Sequence, residues 1–233
     1  MSSLTSAGPR RAVVCPDDIQ LRAHVAANGR GYYRNFGKRA FDLGLLALIA
    51  PIVLPVMVLV TLALRVAGHS PFYVQERLGR NGRVFRIWKF RTMHPDADRM
   101  LQEILERDPV RRAEWQERQK LTSDPRITRI GHFLRRTSID ELPQLWNVLR
   151  GDMSLLGPRP MMPEQKHLYG PAFPVYAALR PGISGVWQVS ERNESHFQRR
   201  AELDIQYARE LSLAGDLMLV LLTLRTILYS TGY

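Results

Sequence analysis

Between Leu43 and Leu64 the chain runs for 22 residues, LGLLALIAPIVLPVMVLVTLAL, without a charged side chain. At ~1.5 Å rise per residue such a helix matches a hydrocarbon core of ~30 Å, so a spanning helix is the plain reading. Pro51 and Pro55 argue against a straight one, because each removes a helical hydrogen bond and crowds the preceding turn. The flanks give no orientation: residues 23–42 carry Arg30, Arg34, Lys38 and Arg39, and residues 65–84 carry Arg65, Arg77, Arg80 and Arg83. Equal positive charge keeps both ends on the cytosolic side, which a re-entrant helix-break-helix satisfies and a single crossing does not. A buried core helix is the third option. The basic collar then anchors the chain to anionic lipid, and Asp42 is expected to pair with Lys38 or Arg39.

Beyond this segment the pattern changes. PFYVQERLGRNGRVFRIWKFRTM reads as two short strands, about Phe72 to Gln75 and Val84 to Phe90, joined through GRNG. ADRMLQEILERDPVRRAEWQERQK has the helical period, with Met100, Leu101, Ile104 and Leu105 on one stripe and a division at Pro109. LSLAGDLMLVLLTLRTILYSTGY is apolar but interrupted by Asp216 and Arg225, so it is either a core helix or one lying among headgroups. The expected fold is mainly α with a small β-hairpin, an α+β membrane-associated body. Residues 1–35 form a flexible basic arm, 36–67 the re-entrant membrane helix, and 68–233 a cytosolic-face domain with amphipathic helices at the interface.

Charge narrows the choice of partners. The 233 residues include 33 Lys and Arg against 22 Asp and Glu, a net charge of +11, which points to a polyanion: nucleic acid, an anionic membrane face or a phosphorylated substrate. Nucleic acid is disfavoured, since the basic residues flank an apolar segment and no DNA- or RNA-binding motif is present. The single cysteine, Cys15, excludes an intramolecular disulfide, and the six histidines lack zinc spacing. The first forty residues have no apolar core of a secretory signal, so the chain is expected to begin in the cytosol.

Candidate chemistry gathers in TSIDELPQLWNVLRGDMSLLGPRP, Thr137 to Pro160. Ser138 followed three residues on by Glu141 has the form of a capping box, and Gly151 is a good helix stop. On that reading Asp140 and Glu141 are acids favoured by the positive end of a helix dipole. The same dipole would keep Asp140 ionised as a nucleophile, while its neighbour Glu141, turned by about 100°, helps to hold a metal ion. Magnesium suits one or two carboxylates completed by substrate phosphates and water. Arg135 and Arg136 just before the pair, and Arg159 between Pro158 and Pro160, carry guanidiniums that match phosphate oxygens. Lys89 and Arg91 form a basic pair at the end of the second strand; a solvated edge that discourages aggregation is the structural alternative.

The order of KRAFDLGL…LP, ERLGRNGRVFRIWKFRTM, DPRITRIGHFLRRTSIDELPQLWNVLRGDMSLLGPRP, RPGISGVWQVSERN and ELDIQYARELSLAGDLMLVLLTL resembles the bacterial polyprenyl-phosphate sugar-phosphate transferases. These are the monotopic phosphoglycosyltransferases. The resemblance covers about Phe36 to the end and is to the short, exopolysaccharide-type form. It implies that Asp140 is the nucleophile and Glu141 its magnesium-associated partner. It implies further that Arg135, Arg159, Lys89 and Arg91 handle phosphate, and that Gln188, Arg192 and Asn193 lie where sugar-nucleotide contacts fall. The implied reaction takes a hexose-1-phosphate from a UDP-sugar to undecaprenyl phosphate, releasing UMP, on the cytoplasmic face of the inner membrane. A direct transfer with Asp140 as general base, and an inactive membrane scaffold in a polysaccharide complex, are the rivals; self-association is a further expectation. Three departures from the family pattern stand out: Leu54-Pro55 with an additional Pro51 at the helix break, Glu191 where glycine is usual, and Met161-Met162 after GPRP.

Overall fold

The computed structural model describes residues 31–118, 121–190 and 197–229. A short π-helical turn, Tyr33–Gly37, leads directly into α1, Lys38–Val66. The last residues of the expected basic arm are therefore ordered as the start of the membrane helix, and Arg30 lies outside the described residues. Helix α1 runs without interruption across Pro51 and Pro55, so the two arms expected at the prolines belong to one element. Each proline deletes one backbone donor, which can bend a helix without ending it.

Both ends of α1 rest on the same globular body. At its start Lys38 reaches Asp42 Oδ1 at 3.2 Å and Asp216 Oδ2 at 3.0 Å. Ser154 Oγ and the Leu155 N–H donate to the same Asp42 oxygen at 2.9 and 3.1 Å. Arg39 donates to the carbonyls of Val148 and Leu149 at 2.6 and 3.0 Å. At its end Leu64 is fully buried in a cluster with Phe90 and Leu134, and Met57 and Val60 pack beside it. Between them Leu48, Ile52, Val58, Leu59 and Leu62 are exposed. A single crossing would carry the two ends to opposite faces of a bilayer; here both ends contact the same body, which fits a monotopic association.

The β-hairpin follows: β1, Phe72–Leu78, pairs antiparallel with β2, Val84–Phe90. The first strand runs three residues beyond the expectation. Asn81 and Gly82 take positive φ in the connecting turn, the conformation GRNG suits. Helices α2, Ala97–Arg107, and α3, Pro109–Arg118, divide at Pro109 as the sequence indicates, with the proline at the first helical position. Then come α4, Arg129–Arg136, and α5, Gln144–Arg150, which Gly151 ends at φ 88°.

A second sheet was not foreseen. β3, Ser154–Leu156, pairs in parallel with β4, Gly182–Ser184. Between them lie two short helices, α6, Lys166–Tyr169, and α7, Phe173–Ala177. The backbones approach so closely that a Cβ on Gly182 would lie 2.1 Å from the Gly157 nitrogen, so only glycine fits. Met161, opaque in the sequence, is a core residue packed with Leu78, Tyr169 and Tyr176. Helices α8, Val186–Ser190, α9, Phe197–Glu210, and α10, Leu213–Leu228, complete the body. Helix α10 resolves the choice left by its sequence by doing both: Leu219 is in the core, while Leu217, Met218, Leu221 and Leu224 are exposed on its outer side.

Three collar residues serve the body instead of the lipid, Arg39 through the Val148 and Leu149 carbonyls. Lys38 is buried between two carboxylates, and Arg77 turns inward to Pro160 and Gln75. Removing Lys38 would leave Asp42 and Asp216 buried as like charges. Lys38→Met is expected to destabilise the detergent-held chain by about 3–5 kcal/mol, read as a lower thermal midpoint. Adding Asp216→Asn to it should recover part of that loss.

Candidate active site

The Asp140–Glu141 pair does not open a helix. Ser138 has φ 57°, in the left-handed region, and makes no side-chain cap; the chain then makes a 3₁₀ turn, Ile139–Glu141, closed by the Leu142 N–H to the Ile139 carbonyl at 3.1 Å. Pro143 precedes α5, and the true N-cap nearby is Thr128, whose Oγ1 accepts from the Gly131 N–H at 2.9 Å. Ser-x-x-Glu is a local signal, and here tertiary packing overrides it. Ile139 and Leu142 sink into the cluster of Leu64, Phe90 and Leu134, which holds the turn over the end of the membrane helix.

Two cations meet the carboxylates. Lys89 on β2 forms an ion pair with Glu141 Oε1 at 2.8 Å. Arg135 on α4 is steadied by its Nε donating to Thr92 Oγ1 at 2.9 Å. The Thr92 carbonyl also accepts from the Thr128 N–H at 3.0 Å, and a Cβ on Gly131 would lie 2.0 Å from that oxygen. Glycine there lets α4 approach close enough for Arg135 to serve the site. Burial pushes the Asp140 carboxyl up to about 6; Lys89 opposes this, Glu141 adds to it, and Arg135 opposes it. The neighbouring cations favour the ionised form, but burial outweighs them. Beside them Asp124 accepts Arg126 Nε at 2.8 Å and Nη2 at 2.6 Å, and Arg126 lies over the Trp115 ring. Burial raises the Asp124 carboxyl, but the Arg126 hydrogen bonds outweigh it and hold the group below its ordinary range.

Asp140, Glu141, Lys89 and Arg135 thus come together. Arg91 reaches the Phe72 carbonyl at 3.5 Å, and Arg136 is exposed at the end of α4. Arg159 lies with its guanidinium 5.2 Å from the centroid of the Trp187 ring, beside Arg77 and Arg200. Gln188 is buried on α8, its Nε2 3.5 Å from the Ile183 carbonyl. Arg192 and Asn193, with Glu191, lie outside the described residues. Thr92 and Arg200 carry no functional signal in the sequence; Arg77 does, since it lies within ERLGRNGR.

A family model described as bacterial sugar transferase matches residues 33–230. The chain belongs to this family. Among its curated relatives is a UDP-galactose-lipid carrier transferase of Erwinia amylovora, 44% identical over 209 residues, which are 89% of this chain and 44% of that protein. The exopolysaccharide production protein ExoY of Sinorhizobium fredii is 43% identical over 199 residues, 84% of this chain and 87% of that one. An undecaprenyl-phosphate galactose phosphotransferase of Salmonella typhimurium is 40% identical over 197 residues, 84% and 41% of the two chains. The chain therefore spans less than half of two of these relatives and most of the third. For a bacterial sugar transferase, a carboxylate pair set over a membrane helix and flanked by Lys89 and Arg135 is a site suited to phosphate chemistry.

Since burial raises Asp140, its ionisation costs folding stability. The stability contributed by the protonated carboxyl is full below the ordinary carboxyl range and is lost as pH rises through about 6. Infrared titration of the metal-free, detergent-held protein, with Asp140→Asn for assignment, should place the midpoint near that value. Lys89→Met should raise it by about one pH unit and Glu141→Gln should lower it.

Proposed function

We propose that the chain transfers a hexose-1-phosphate from a UDP-hexose to undecaprenyl phosphate, releasing UMP, at the cytoplasmic face of the bacterial inner membrane. This would begin the assembly of an exopolysaccharide or related glycan. The observation that carries the proposal is the seat of Asp140: a half-buried carboxylate on a tight turn, clamped over the end of the membrane helix and faced by Lys89 and Arg135. A phosphate carried by a membrane lipid lies at that level, and three of the relatives named above are sugar-lipid or exopolysaccharide proteins.

In the first half-reaction an Asp140 oxygen attacks the donor's β-phosphorus. The bond from that phosphorus to the bridging oxygen breaks, and its electron pair leaves with UMP. In the second, a phosphate oxygen of the lipid attacks the same phosphorus and the Asp140 carboxylate departs. Splitting the transfer in this way is the gain of covalent catalysis. Arg135 and Lys89 face the charge that builds on the phosphoryl oxygens, and Lys89 also orients Glu141.

Asp140 and Glu141 offer hard oxygen donors of the kind magnesium takes in ones and twos beside substrate phosphates. Bound there, the ion would neutralise phosphate charge and polarise the phosphoryl group. Anionic lipid is the natural surface for the remaining collar arginines, Arg34, Arg65, Arg80 and Arg83.

The test supplies the nanodisc-held protein with magnesium, undecaprenyl phosphate and a panel of UDP-hexoses, and measures UMP against UDP. UMP from one donor, reduced at least about a thousandfold in Asp140→Asn and lost on chelation, is the expected result. A denaturing quench should trap labelled sugar-phosphate on the protein. Intersecting initial-rate patterns without a trapped adduct would mean direct transfer, UDP release an ordinary glycosyltransferase, and no release from any donor a scaffold.

A further inference from the structure

Three arginines away from the carboxylates share one neighbourhood. Arg77 on β1 sends one guanidinium nitrogen toward the Pro160 carbonyl at 3.5 Å and another to Gln75 Oε1 at 2.5 Å; its buried Nε has no partner among the described residues. Arg159, next to Pro160, and Arg200 on α9 both lie over the Trp187 ring, 5.2 and 4.1 Å from its centroid. Burial lowers the proton affinity of Arg77 and Arg200, and the charge of Arg159 lowers both further. Two carboxyl groups face this set. Glu164, on the surface, attracts Arg77. Asp204 faces Arg200, but burial pushes it up to about 7 while it accepts from the Tyr169 hydroxyl at 2.5 Å. Near neutral pH it therefore supplies only part of a charge.

The hairpin relates this cluster to Asp140. Tyr73 pairs with Lys89 and Arg77 with Phe85, so Lys89 and Arg77 stand on one face, four residues apart in register. At ~3.4 Å per residue their backbone positions are ~14 Å apart. One cation ends at Glu141, the other at the GPRP loop. The close Gly157–Gly182 contact of β3 and β4 sets that loop against the strand leading to Trp187.

We propose that Arg77, Arg200 and the Trp187 ring join Arg159 in a second anion subsite, which takes the nucleoside monophosphate half of the donor. The inference rests on the sugar-phosphate transfer reading above and divides its labour. Lys89 and Arg135 serve the phosphorus that Asp140 attacks, and the three guanidiniums receive the phosphate that leaves. The electron pair of the broken bond comes to rest on an oxygen facing these cations, so departure needs no proton. Trp187 supplies a flat wall beside that phosphate and holds two of the guanidiniums in place.

Calorimetric titration of UMP into the full-length chain in nanodiscs, without lipid phosphate, tests the subsite directly. Arg77→Gln and Arg200→Gln should each weaken UMP about tenfold or more, at an unchanged thermal midpoint. Asp140→Asn should change it by less than about threefold. If a glutamine variant unfolds, Arg77→Lys and Arg200→Lys carry the test, since they keep the charge and lose the planar fork; several-fold weaker UMP binding is then expected. Unchanged UMP affinity in all arginine variants overturns the subsite, as does a loss of affinity confined to vesicles bearing a short-chain polyprenyl phosphate. Normal donor KM in the arginine variants with UMP still released would sink the subsite alone. Arginine-dependent UMP binding in a chain that releases no UMP from any donor would sink the transfer reading alone.

Discussion

A lysine held between two buried aspartates fixes where the membrane helix meets the body. Lys38 lies within salt-bridge distance of Asp42, one turn along its own helix, and of Asp216, near the other end of the chain. One cation cannot neutralise two carboxylates, and neutral donors supplement it, although Asp42 Oδ2 is buried with no hydrogen-bond partner among the described residues. The hydroxyls of Tyr33 and Tyr207 donate to Asp216 at 2.6 and 2.9 Å, while Ser154 and the Leu155 N–H donate to Asp42. Buried charge is tolerated only where its hydrogen bonds are met with good geometry. That demand selects one register of α1 against α10 and β3, where apolar packing alone would accept several.

From that anchor the helix carries its register to the chemistry. Its other end places Leu64 under Ile139 and Leu142, and between those two residues stand Asp140 and Glu141. The hairpin brings Lys89 to the same turn and Arg77 to the GPRP loop. Thr92, just past β2, ties Arg135 into the assembly. Depth in the membrane and position of the carboxylate pair thus depend on a single packed element.

Much of this was legible because it is local. Alternation around GRNG marked the hairpin, with β2 as expected; Pro109 marked the helix division, and Gly151 the end of α5. The parallel pair of β3 and β4 was not, since each strand has three residues and three residues carry no period. Ser138 misled for the opposite reason: its sequence signal is strong, but the clamp of Ile139 and Leu142 decides the backbone. The carboxylates and two of their cations could be named from the sequence. The grouping of Arg159 with Arg77 and Arg200 could not, because residues 77, 159 and 200 meet only through the tertiary fold.

The burial of Leu64 changes what the apolar segment is. A tether can be cut and its cargo released intact, but this helix supplies part of the floor on which the turn of Asp140 and Glu141 sits. A water-soluble fragment beginning after Val66 would lose that floor, and with it the support beneath Asp140. The bilayer is accordingly a structural neighbour of the carboxylate pair. Membrane thickness and lateral pressure bear on the same helix that supports the candidate site, which joins the lipid surroundings mechanically to the carboxylate pair.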